Sequence, residues 1–303
     1  MTRRPRLLLA AVLLVALTGC QSEPPPEADE FPPVPSIKPR KEAGGKLPDK
    51  WPNSRNTGVP KGVQLKRIKS MVIDKDGTVI DGAFLYGDIV VAANNVTIRR
   101  TKILNPGDYW AVIQREGFEG LTVEDTEISG TGKRRLSVGI MNKGGMMTVR
   151  RTDIHTMQAA VNTQEGVIED NYFHDPVFFE GDHTDLIWAR GGQPQGRQLI
   201  IRHNTVLNSL NQTAAIALFQ FDGVTHNTIM ENNLLGGGSY ALYGGGGKYG
   251  VSYNVKIINN TFSRRIYPKG GGWGHTSRWD AKGKGNEWRG NVWEDTGEPV
   301  PEP

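Results

Sequence analysis

The sequence predicts an all-β chain wound into a right-handed parallel β-helix, and three observations predict it. One phrase of alternating apolar residues closed by Asn or Thr recurs along the chain. Its spacing is irregular while its core is constant. A further short alternating run precedes most copies.

The phrase reads apolar, any, apolar, two polar residues, Asn or Thr, any, apolar. Its copies are Val96–Ile103, Leu121–Ile128, Met147–Ile154, Gly166–Phe173, Leu199–Val206, Thr228–Leu234, Val255–Phe262 and the segment ending Asn291-Val292-Trp293. The closing residues are Thr101, Thr126, Thr152, Asn171, Asn204, Asn232, Asn260 and Asn291, so the steps are 25, 26, 19, 33, 28, 28 and 31 residues. Coils with loops of variable length produce such steps. The alternation marks short strands, and the Asn or Thr marks a bend between two of them. A side-chain amide at a bend bonds nearby backbone, and copies on successive coils form a ladder. Trp110–Gln114, Ser137–Met141, Ala214–Gln220 and Tyr240–Tyr243 supply the other strands. Leucine-rich repeats are a rival, but here the core residues are Ile, Val and Phe, and no Leu-rich helical half follows. A β-sandwich does not explain eight copies of one phrase. The ends of a solenoid need cover, and the segment near Trp51 and the stretch from Gly270 are the expected caps.

The amino terminus carries a different signal. Arg3, Arg4 and Arg6 precede an apolar run, Leu7 to Ala16, that is too short to span a membrane. It ends in Leu17-Thr18-Gly19-Cys20, which resembles a bacterial lipobox. The resemblance implies a lipoprotein signal peptide over residues 1–19, a lipid on Cys20 and an extracytoplasmic protein held at the cell membrane. The Arg3-Arg4 pair leaves the choice between general and twin-arginine export open. Cys20 is the only cysteine, which excludes an intramolecular disulfide and a thiolate metal site. Residues 20–50 are proline-rich, charged and poor in large apolar groups, as expected of a disordered tether. The β-helix domain is placed at 51–303. The formal charge of +4 includes three arginines and no acid within 1–19, so the mature chain carries +1. That balance gives no charge argument for nucleic acid, and a monomer is expected.

The phrase Trp51–Gly62 resembles the entry segment of a group of secreted actinobacterial right-handed β-helix proteins. Thr78–Gly82, Asn94–Ile98, Ile201–Thr205, Tyr240–Gly245 and Gly290–Gly297 are similar to phrases of the same group. The resemblance covers roughly residues 51 to 300. It implies the fold, secretion and an association with polysaccharide-active proteins, whereas the reaction has to be argued from a site.

The densest set of reactive side chains is Glu180–Arg190. His183-Thr184-Asp185 followed by Leu186-Ile187-Trp188 is similar to a His-x-Asp-Gly-Ile-Gln phrase of that group, with Leu186 and Trp188 in place of Gly and Gln. His183 and Asp185 are expected at a corner beside a groove, the chain bending near Thr184 so that Ile187 aligns inward with Ile113 and Ile140. The same alignment gives an outward column of Gln114, Met141, Thr163, Trp188, Phe219 and Tyr243. Coils stack at about 4.8 Å, so Trp188, Phe219 and Tyr243 would present three rings to a sugar. Lys143, Glu165, Arg190 and Asp222 would flank them.

Two chemistries fit these residues. In a uronate lyase, Arg190 or Lys143 offsets the carboxylate, His183 removes the proton and Asp185 orients the imidazole. In a hydrolase, neighbouring pairs among Glu165, Asp185 and Asp222 flank the bond. β-Elimination is slightly favoured. The alternatives are a noncatalytic glycan-binding or adhesive module and a structural surface module. No cofactor is indicated, and the only metal signal is a weak one for calcium at Asp182 and Asp185. His155 and His174 are read as surface turn residues. Tyr267, His275, Trp279 and Asp280 are assigned to capping, with a loop over the groove as the alternative.

Overall fold

The computed structural model describes residues 45–303 except Asp108. The strands form three parallel sheets, and each strand pairs with the one three places further along the chain, so one coil contributes one strand to each sheet. The first sheet runs from Lys66–Ile68 to Val292–Trp293, the second from Met71–Ile73 to Gly274–Ser277, and the third from Val79–Asp81 to Glu287–Arg289. This is the all-β parallel β-helix that the repeats predict.

Stacking places like residues on like. In the third sheet Ile98, Val123, Val149, Ile168, Ile201, Met230 and Ile257 form one inward column. In the first sheet Ile103, Ile128, Ile154, Phe173, Val206, Leu235 and Phe262 form another. Each such side chain stabilises the fold by about 1.5–3 kcal/mol on burial.

The corner from the third sheet into the first follows one rule. A residue in the left-handed region comes first: Arg100, Asp125, Arg151, Asp170, His203, Asn232 and Asn259 have φ between 48° and 59°. A buried Thr or Asn follows it. The Asn204 amide donates to Asn233 Oδ1, Asn233 to Asn260 and Asn171 to Asn204, all at 2.9 Å. Each also donates to a carbonyl of an earlier coil, as Asn204 does to Ile168 O at 2.9 Å. The ladder therefore passes through Asn233, and Asn232 is the left-handed residue before it, which corrects the repeat position expected there. Left-handed backbone at a residue with a Cβ costs about 1–2 kcal/mol, and the buried ladder bonds offset it.

The outer face of the third sheet adds a second register device. Asp81, Arg99, Glu124, Arg150, Glu169, Arg202 and Glu231 occupy one column, one per coil, with alternating sign. Arg99–Asp81, Arg150–Glu124 and Arg202–Glu169 pair at 2.9, 2.7 and 2.6 Å. Surface pairs add only about 0–1 kcal/mol each, but a slip of one coil would set like charges side by side.

The expected caps divide. Trp279, Trp288, Trp293 and Val300 pack on the last coil, so the carboxy-terminal stretch does close the core. The Trp51 segment does not cap an end. It lies as a strap along the outer face of the first sheet, where Leu47 and Trp51 pack with Tyr172, Leu207 and Leu234. Gly58 N donates to Arg151 O at 2.9 Å, and Trp51 stacks on His203 with ring centroids 5.7 Å apart. Within the described residues, Leu47 is already fully buried.

The ladder predicts a contrast between neighbours. Asn233→Ala should lower stability in urea denaturation by about 1–3 kcal/mol, because buried ladder groups lose their partner. Asn232→Gly should change it little, since glycine takes that backbone without strain.

Candidate glycan-binding face

From Trp110–Gln114 to Tyr240–Gly244 the second sheet differs from the other two in carrying two successive inward positions per strand. Val112, Ile140, Val161, Ile187, Ile216 and Leu242 share one core column, and Ala111, Ala160, Leu186, Ala215 and Ala241 just before them are also in the core. Outward positions are therefore three residues apart. Ile140 and Ile187 point inward as expected, whereas Ile113 packs outside with Val138, Met141 and Ala159.

This geometry sets the outer columns. One contains Ile113, Met141, Asn162, Trp188, Ala217 and Tyr243, and a second contains Val138, Ala159, Asp185, Ala214 and Tyr240. Met141, Trp188 and Tyr243 thus share a column as expected. Gln114 and Thr163 stand one residue off it; Gln114 bonds to Asn142 at 2.7 Å, and Thr163 to the Asn142 amide at 3.0 Å, in a separate buried ladder. Phe219 lies just past the end of its strand, yet its ring reaches Tyr243 at 5.2 Å.

The expected three rings belong to a longer band. Trp188 meets Phe221 at 5.3 Å, Phe221 meets Phe219 at 6.4 Å, Tyr243 meets Tyr240 at 5.6 Å, and Tyr240 meets Trp273 at 5.9 Å. Phe221 and Trp273 are 56% and 65% exposed, so the band is open to solvent at both sides. Arg278 lies over the Tyr243 ring at 5.9 Å. A cleft of about 250 Å³ runs between Phe219, Phe221, Gly247, Lys248 and Arg278. Phe221, Tyr240 and Trp273 were not singled out by the sequence. A period of three, visible in Tyr240-Ala241-Leu242-Tyr243 and in Asp185–Trp188, was the available signal.

The proposed catalytic groups do not converge. His183 is exposed, and its backbone carbonyl accepts a bond from Gln158 at 3.0 Å. Asp185 is enclosed on the sheet and has no hydrogen bond to His183. Burial pushes its carboxyl well above the usual range, opposed only by the Ala214 amide. The exposed His183 and the enclosed Asp185 make no hydrogen bond to one another, so the expected orientation of the imidazole by Asp185 is not seen. Arg190 Nε pairs with Asp222 at 2.6 Å, which compensates its charge. Lys143, on the surface beside them, is pulled down by partial burial and by Arg190. Glu165 is raised by burial, while Arg197, 3.6 Å away, opposes the rise. Its electrostatic neighbours are Arg197 and Glu119, so Glu165, Asp185 and Asp222 do not form one hydrolytic set. Asp182 pairs with Arg135 at 2.8 Å, and among the described residues no three His, Asp or Glu gather as metal ligands.

Polar groups next to the band are left without partners. Both side-chain atoms of Asn162, Oδ1 of Asp185 and Nε1 of Trp188 are enclosed and unbonded. Each such group costs about 1–3 kcal/mol, and grouped together they call for an explanation.

A second titratable cluster lies under the strap. Lys102 pairs with Glu127 at 2.6 Å, His155 lies 3.4 Å from Glu127, and His174 bridges Asp153 and Asp175 at 2.8 Å each. A cavity of about 350 Å³ is lined by strap residues 54–61 together with Asp125, Glu127 and Asp153. His155 and His174 are therefore core residues of a covered face, not surface turns. Tyr172 stacks on His174 at 3.9 Å. These groups satisfy one another, so the cluster reads as a clamp for the strap.

The chain belongs to the right-handed β-helix family: the family model for a right handed beta helix region matches residues 87–265, more than half of its length. A search of curated proteins returned no match, and a search of solved structures returned none.

The clamp predicts a pH window. Burial lowers His174, but Asp153 and Asp175 outweigh it and hold the ring at about 9, above its ordinary 6.5. Its contribution is complete below pH 6.5 and is lost as pH rises through about 9. Burial raises Glu127, but His155 and Lys102 bring it to about 2 from 4.5, so its contribution is present above pH 4.5 and lost as pH falls toward 2. Urea midpoints measured from pH 7 to 10 should fall in the wild type and fall less in His174→Gln.

Proposed function

We propose that this chain is a noncatalytic glycan-binding module of the cell envelope, holding an extended saccharide along the outer face of the second sheet. The aromatic band carries this reading. Flat apolar faces with polar edges suit sugar rings, which bury C–H faces and hydrogen-bond at the rim. From Trp188 to Trp273 the band crosses three coil steps, about 14 Å at the usual strand spacing, which suits a short oligosaccharide. Exposed Lys143, Lys248 and Arg278 offer hydrogen bonds at its border. β-Elimination is less well supported, because His183, Asp185 and Arg190 stand in three different environments.

The location rests on the amino-terminal signal: a lipid on Cys20 and the proline-rich stretch after it would hold the domain just outside the membrane. Residues 1–44 lie outside the described residues.

Affinity electrophoresis through gels containing envelope and extracellular polysaccharides should retard the protein in at least one of them. Phe221→Ala and Trp273→Ala, both at exposed rings, should each weaken that retardation about tenfold without altering the fold. His183→Ala should leave it unchanged, and uronate polymers should yield no unsaturated products. Cys20→Ala should move the protein from the membrane to the soluble fraction. Retention by no polymer, or retention untouched by both ring variants, contradicts the reading.

A further inference from the structure

The enclosed polar groups beside the band describe what kind of sugar it takes. Asn162 is 1% exposed and Asp185 3% exposed. Asn162 and Trp188 are register partners on adjacent coils, and Asp185 sits on the same outer face three residues before Trp188. Neither atom of the Asn162 amide is bonded, and Asp185 Oδ1 and the indole Nε1 are free as well. Natural proteins rarely leave several such atoms together unless a partner is to come.

The set has a definite chemistry. Asn162 offers donor and acceptor side by side, Trp188 offers a donor, and Asp185 offers a carboxyl whose ionisation burial disfavours. Their neighbours in the columns are Met141, Ala159, Ala214 and Ala217, all buried and apolar. Asp185 makes no ion pair to a cation among the described residues, so this spot itself supplies no positive partner for an ionised uronate, whose charge the border cations would have to meet. A sugar bearing only hydroxyls leaves the apolar lining unused. An acetamido group matches this chemistry: its N–H and C=O complement the two ends of the Asn162 amide, and its methyl suits the apolar neighbours. Resting on the glycan reading above, we infer that the saccharide held by the band contains N-acetylated amino sugars, and that Asn162, Asp185 and Trp188 form the subsite for the acetamido group. Trp188 is half-buried and edge-on to Phe221, which sets the subsite at the edge of the band.

Calorimetry of the full chain with two tetrasaccharides of the same β-1,4 linkage, one of N-acetylglucosamine and one of glucose, tests this. The N-acetylated tetramer should bind about tenfold or more tightly than the glucose tetramer. Asn162→Leu should erase that preference, keep the glucose affinity and raise the unfolding temperature, because an unpaired amide is removed. Asn162→Ser provides the same binding test should the leucine variant not fold. Equal affinity for both tetramers, lost in Phe221→Ala, overturns the acetamido subsite and leaves the glycan reading standing. Binding of neither tetramer, together with no retention by any polymer, overturns both. A preference that survives at Asn162→Leu and Asn162→Ser also overturns the subsite.

Discussion

Everything in this molecule depends on how one coil is held over the next at the corner between the third and first sheets. Each corner needs a left-handed residue, and most of those here carry a Cβ, as at Arg100, Asp170 and His203. The strain is tolerated because the next side chain is locked into a buried ladder that also takes up carbonyls of an earlier coil. A ladder of buried Thr and Asn side chains, one at each corner, ties one coil to the next. Once it is set, the apolar columns and the alternating charges of the third sheet fall into line with it. The loops are then free to vary in length.

That freedom is what a site can use. The middle strands of the second sheet place two inward positions each, so their outer positions recur every three residues. Tyr240 with Tyr243, and Asp185 with Trp188, thereby stand on one face. Stacking then brings Trp188, Phe221, Phe219 and Tyr243 into contact across more than fifty residues of sequence. The opposite flank is closed by the strap and by a satisfied ionic cluster. One side of the solenoid is thus sealed for stability and another carries exposed rings and unsatisfied polar atoms, a division expected where function makes its own demands on a stable scaffold.

The fold was legible because its signal is repeated. Asn171, Asn204, Asn260 and Asn291 could be placed from the phrase alone. The copy at 228–234 slipped by one, because two asparagines stand together and only the second is the buried one. The site was legible in part. Trp188, Phe219 and Tyr243 announce themselves as aromatics, but a period of two assigns Gln114 and Thr163 to their column and misses Tyr240. The only local trace of a strand with two inward residues is the period of three in Tyr240–Tyr243 and Asp185–Trp188; the columns themselves follow from how three sheets meet around a core. His155 and His174 looked exposed because the strap that covers them comes from a segment about a hundred residues earlier, which composition alone assigns to a tether or cap. His183 and Asp185 are close in sequence, but one side chain lies in a loop and the other under cover, a difference that spacing cannot reveal.

The central claim is that the stacked rings of the second sheet form the surface that touches the saccharide. Saturation-transfer NMR, irradiating the aromatic protons of the protein and observing the ring protons of a bound oligosaccharide, tests it most directly. The account predicts strong transfer to the sugar C–H protons in the wild type and its loss in Trp188→Ala and Phe221→Ala. Transfer of equal strength in those two variants would contradict it.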